Sequence, residues 1–148
     1  MRSFILAMIL ATSAAAPAYA WWQYAEWNFT PAQVVSASSG QAVPCRADEA
    51  VCAAPPGGLK PTYFVERLTM VGMPASASFA FDGSDKLAQT VVLFPDSDPA
   101  LIANLLQGIH GKPVDEAQRV WRDERRGTTI TAIPAGRGTM LLYRPAGR

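Results

Sequence analysis

The chain has 148 residues, carries 13 basic against 12 acidic side chains, and is 49% hydrophobic. Such an apolar fraction with four tryptophans excludes a disordered chain. The near-neutral balance argues against nucleic acid as a partner, because phosphate binding calls for a clear excess of Lys and Arg.

Arg2 is the only charge among residues 1–20, followed by the apolar run Phe4 to Ala11 and by small residues ending in Ala18-Tyr19-Ala20. A positive start, a short apolar core and an A-x-A site make a secretory signal peptide over residues 1–20. A membrane-spanning helix needs about 20 apolar residues. This core stops before Pro17, so no stable membrane span is expected after cleavage. Loss of Arg2 leaves twelve basic and twelve acidic residues in a mature chain of residues 21–148, expected to be one domain in the periplasm or outside the cell.

Trp21, Trp22, Tyr24, Trp27 and Phe29 crowd the start of that domain. They either pack over the fold as a flap or stand out as a partner-binding arm, since Trp and Tyr are enriched at binding hot spots. The next signal is a helix: Thr30 as cap, Pro31 at the first position, Gln33 at capping-box spacing, and a stop near Gly40 and Pro44. Ser36, Ser38 and Ser39 weaken it. In an exported chain, Cys45 and Cys52 pair by default as a disulfide, and Pro55-Pro56-Gly57-Gly58 follows as a linker or turn. Three strand-like runs come next: Thr62 to Thr69, Ala75 to Phe81 and Leu87 to Phe94. The period-two alternation is plainest in the second, and Asp82-Gly83-Ser84-Asp85 supplies the turn after it.

The pattern then repeats. Asp98 caps a helix that begins with Pro99 and stops at Gly111, with Leu101, Ile102, Leu105, Leu106 and Ile109 on one stripe. His110, the only histidine, falls in its last turn, where the helix carbonyls favour a cation. Strands follow over about Ala117 to Arg122, Thr128 to Ile133 and Thr139 to Tyr143, with Trp121 read as core. Half-repeats of about 29–95 and 97–145 therefore predict an α+β fold, a tandem α-β-β-β repeat whose antiparallel sheet carries two helices on one face.

An exported domain that opens with Thr30-Pro31-Ala32-Gln33-Val34 and continues into a β-meander resembles envelope domains of the β-lactamase-inhibitor-protein-like architecture. That group includes the small lipoprotein of the outer-membrane β-barrel assembly machinery. The lipobox cysteine of that lipoprotein has no counterpart here, which argues against a membrane-anchored role. The resemblance implies action by presenting a sheet face or loops to a protein partner. The chain also resembles small secreted proteins of Gram-negative bacteria, from which no activity follows.

Chemistry-bearing patterns are sparse. G-x-S-x-G is absent, and no glycine-rich loop leads into a helix as a phosphate cradle should. Asp82, Asp85, Asp96 and Asp98 match no EF-hand spacing. Asp115–Glu116 and Asp123–Glu124 are adjacent pairs, so on strands they point to opposite faces. No catalytic residue, cofactor or metal is assigned. The reading is a non-enzymatic protein-binding module of the cell envelope, with Trp21, Trp22, Tyr24, Trp27 and the arginines Arg119, Arg122 and Arg125 as candidate contacts. One alternative is a small-ligand carrier with a pocket lined by Leu101, Leu105, Phe79 and Phe81. Another is a small secreted hydrolase built on His110 or paired acids.

Overall fold

The computed structural model describes residues 25–147, so the leader and the candidate contacts Trp21, Trp22 and Tyr24 lie outside the described residues. The first helix, α1, spans Pro31–Ala37. Its capping box is complete: Gln33 N–H donates to Thr30 Oγ1 at 3.3 Å, and Thr30 N–H donates to Gln33 Oε1 at 2.8 Å. Ser38 ends it, its hydroxyl donating to Val35 O and accepting from Ala42 N–H. The serines that weaken the helix thus also stop it. The second helix, α2, spans Pro99–His110, with Asp98 Oδ1 accepting from Ala100 N–H at 2.9 Å and Gly111 leaving at φ 79°.

Among the described residues seven strands form one antiparallel sheet: β1 Val43–Pro44, β2 Tyr63–Met70, β3 Met73–Phe81, β4 Leu87–Phe94, β5 Val120–Asp123, β6 Thr128–Ala135 and β7 Gly138–Pro145. Their order is β1-β2-β3-β4-β7-β6-β5. The two meanders join where the last strand of each half meets the other, in register from Thr90↔Tyr143 to Phe94↔Thr139. An antiparallel central pair relates its neighbours by a local two-fold axis normal to the sheet. That symmetry keeps both helices on one face. Val34 of α1 and Ile102 and Leu106 of α2 accordingly share one core cluster with Phe79, Val92, Phe94, Leu141 and Tyr143. Being central and covered on both sides, β4 and β7 are buried almost continuously, whereas β6 at the flank alternates.

The opposite face has its own cover, which the sequence pattern did not announce. Cys45 and Cys52 are bonded, with Cα atoms 5.7 Å apart, and the short helical turn Ala50–Cys52 lays Val51 and Cys52 on Phe64, Val91, Met140 and Leu142. Buried Ser78 donates its hydroxyl to Val51 O at 2.6 Å. Farther along, the Gln89 amide holds Leu59 from both sides, accepting from its N–H at 2.9 Å and donating to its carbonyl at 2.8 Å. Arg144 Nη2 donates to Gly57 O at 2.9 Å. The Pro-Gly stretch is therefore tied to the sheet by β4 and β7 side chains.

One expected strand is shorter than its sequence run. β5 begins at Val120, because Asp115 Oδ1 accepts from Gln118 N–H and Val120 N–H donates to Asp115 O, closing a turn over residues 115–120. A local side-chain acceptor thus diverts Ala117, Gln118 and Arg119 from the ladder.

Candidate functional site

Helix α2 sits over β5, β6 and β7, off the centre of the sheet. Only Ile102 and Leu106 of its apolar stripe are buried; Leu101 is 48% exposed and Ile109 62%. Between the helix and the β2–β3 hairpin a groove of about 240 Å³ remains open. Leu105 and Ile109 wall it on the helix side, and Met70, Val71 and Met73 wall it on the hairpin side. Phe94, Leu141 and Tyr143 make its floor. Tyr143 is fully buried, and that burial pushes its phenol well above the ordinary tyrosine range, so the floor stays uncharged.

The hairpin wall is strained. Met70 pairs with Met73, and the two residues between them, Val71 and Gly72, have φ 51° and 76°. Positive φ at both turn positions suits Asn-Gly or Gly-Gly; a β-branched residue there is an outlier. Val71 is nonetheless 58% exposed, so no burial compensates for its conformation. Strain of this kind concentrates where function holds it.

At its helix-terminal end the groove shares Ile109 and His110 with a polar cleft of about 550 Å³ lined by Arg122, Asp123, Glu124, Arg125 and Arg126. The His110 side chain is 7% exposed, and its Nδ1 lies 3.9 Å from Asp123 Oδ2. Burial lowers the imidazole below its ordinary value, Asp123 opposes that shift, and Arg126 adds to it. The helix carbonyls and Asp123 favour a charge on this ring, and its burial and Arg126 oppose one. The hydroxyl nearest this pair in the ladder belongs to Thr128, which faces Asp123 across the strands and is engaged, donating to Arg126 O at 3.2 Å and accepting from Trp27 Nε1 at 3.0 Å.

The remaining sequence candidates take these places. Trp27 is half-buried against the helix-face core and donates from Nε1 to Thr128 Oγ1 at 3.0 Å, which ties the segment before α1 to β6. Trp121 is core at 2% exposure, with Nε1 bonded to Gly111 O. Arg122 and Arg125 meet in the cleft with Arg126, which the sequence reading left out; Arg119 sits apart in its turn at φ 52°. The imagined carrier pocket is corrected as well. Phe79 is fully buried and Leu101 faces outward, so Leu105 is the one of the four expected residues that lines the groove. Asp82 accepts from Ser84 and Lys86 N–H in its turn, Asp98 caps α2, and Asp96 pairs with Arg137 at 3.1 Å. Among the described residues no group of three or more His, Cys, Asp and Glu is placed to hold a metal, and no helix is long and apolar enough to cross a membrane.

A larger depression of about 740 Å³ lies over the bulge between Val65 and Leu68; it joins Leu68, Pro74 and Leu93 to exposed Gln41, Glu66, Arg67 and Thr69, so its lining is more polar in proportion than the groove's and it lies more open to solvent. The groove under α2 is the candidate site. Comparison of the chain with protein-family models, with curated proteins and with solved structures finds no match, so the groove's own chemistry carries the functional argument.

Proposed function

We propose that this chain is an exported, non-enzymatic binding module of the cell envelope that holds another protein through the groove between α2 and the β2–β3 hairpin. The observation that carries this reading is the groove itself, an apolar trench walled in part by exposed Val71 and Ile109. Exposed apolar surface gathered around a concavity marks an interaction site. Size favours a side chain of a partner protein over a whole small molecule. Pockets for small ligands run from roughly 300 to 1,000 Å³, and this one is about 240 Å³. A single bulky anchor residue suits it better. Export is supported by the three-part pattern of residues 1–20 and by the Cys45–Cys52 bond, which needs oxidising surroundings.

Chemical crosslinking in the native envelope, followed by capture and mass spectrometry, tests this. The wild-type protein should retain a partner that Ile109→Asp loses. Val43→Asp, at an exposed position of β1 beside the opposite end of β2, should retain it. Equal capture by all three proteins, or none above background, would overturn the reading. N-terminal sequencing of the same material should start at Trp21; a start at Met1 would remove the exported half of the proposal.

A further inference from the structure

We infer that the apolar groove and the arginine-lined cleft form one bipartite site for an acidic peptide segment of the partner. A bulky apolar side chain enters the groove, and a neighbouring Asp or Glu carboxylate meets the guanidiniums of Arg122, Arg125 and Arg126. This rests on the groove being the binding site and adds the chemical class of what it binds.

Three observations carry it. Ile109 and His110, consecutive in the last turn of α2, line both spaces, so the two are contiguous within a side-chain length. The cleft holds three guanidiniums against the carboxylates of Asp123 and Glu124, and its charge is positive on balance. The pairing inside it is also uneven. Arg126 is held to Asp123 by its backbone N–H at 3.2 Å and by Nη1 at 3.3 Å. Arg122 stands 3.8 Å from Glu124, with the side chains 50% and 81% exposed, and such a surface pair is weak and exchangeable. Arg125 makes no ion pair among the described residues. A carboxylate arriving beside the groove therefore finds one unpaired guanidinium and one that exchanges readily, both able to make charge-assisted bonds.

The test uses the purified protein and dye-labelled nonapeptides with blocked ends, Gly-Ser-Gly-X-Asp-Asp-Gly-Ser-Gly, where X is Trp, Phe, Leu or Met, read by fluorescence anisotropy. At least one should bind, and its Asn-Asn counterpart should bind about tenfold more weakly, the loss expected for a hydrogen bond to a charged group. Arg125→Glu should weaken the acidic peptide by a similar factor and leave the Asn-Asn peptide unchanged, while Ile109→Asp should abolish both. Both residues are exposed, so urea midpoints equal to wild type confirm that the variants are folded. Equal affinity for the acidic and neutral peptides overturns the acidic class and leaves the groove reading standing. No binding by any peptide also overturns it, and the capture experiment with Ile109→Asp then decides the groove separately. Displacement of the peptide by dodecanoate, with dodecanoate binding itself weakened by Arg125→Glu, assigns the carboxylate to a lipid and overturns the peptide.

Discussion

The two faces of the sheet are both apolar, yet they are finished differently. On the face away from the helices, a loop from Cys45 to Leu59 closes over Phe64, Val91 and Leu142, fastened by a disulfide, by Ser78, by Gln89 and by Arg144. On the helix face, α2 buries two residues of a five-residue stripe and leaves a groove beside them. The chain thus closes the middle of one apolar face with irregular backbone, although a depression of about 740 Å³ remains beside Ser76 and Leu93 on it, and opens a groove beside the twelve-residue α2 on the other. The groove on the open face is the surface proposed above to work, and the loop over the closed face is tested below as an element of stability.

The sharpest way to break that division is to damage the closed face. Phe64→Ala, at a fully buried position, should cost roughly 3–5 kcal/mol, read as a drop in urea midpoint. Replacing both Cys45 and Cys52 by Ala should cost about 2–3 kcal/mol, as expected for opening a small loop, and wild-type protein under reductant should behave alike. Both changes should leave partner affinity intact wherever the protein is still folded. Val71→Asn probes the open face in the opposite sense. It should raise stability by about 1 kcal/mol, because Asn tolerates positive φ and Val does not, and it should weaken partner capture by removing an apolar wall.

The smallest effect concerns the groove's rim. Because burial holds the His110 imidazole below its ordinary value, the unfolded chain binds a proton that the folded protein refuses. Stability from this residue is therefore complete above about pH 6.5, the ordinary imidazole value, and is lost as pH falls through the folded value. His110→Gln should remove that part of the pH dependence, seen as a smaller fall in urea midpoint between neutral and mildly acidic buffer than wild type shows.

Much of the architecture was legible along the chain. Thr30 with Gln33, Asp98 with Pro99, and the alternation of β3 each encode their element locally, since capping bonds and pleat periodicity involve residues a few positions apart. The site was less legible. Leu101 and Ile102 look equivalent on a helical stripe, and only the offset of α2 towards β5, β6 and β7 buries one and exposes the other. That Arg126 joins Arg122 and Arg125 is decided by a turn, which no strand periodicity describes. Val71-Gly72 lacks the Asn-Gly or Asp-Gly signature that would have announced a two-residue turn.

The sequence by itself determined the helix caps, the order of strands within each meander and the pairing of the two cysteines, because each follows from near-neighbour hydrogen bonding, side-chain alternation or the absence of any other thiol. Tertiary structure alone decided that β4 would meet β7, that the Cys45–Leu59 loop would cover the far face, and that α2 would leave part of its stripe uncovered. Those outcomes depend on shape and volume matched between segments many residues apart, and no local window of sequence contains both partners.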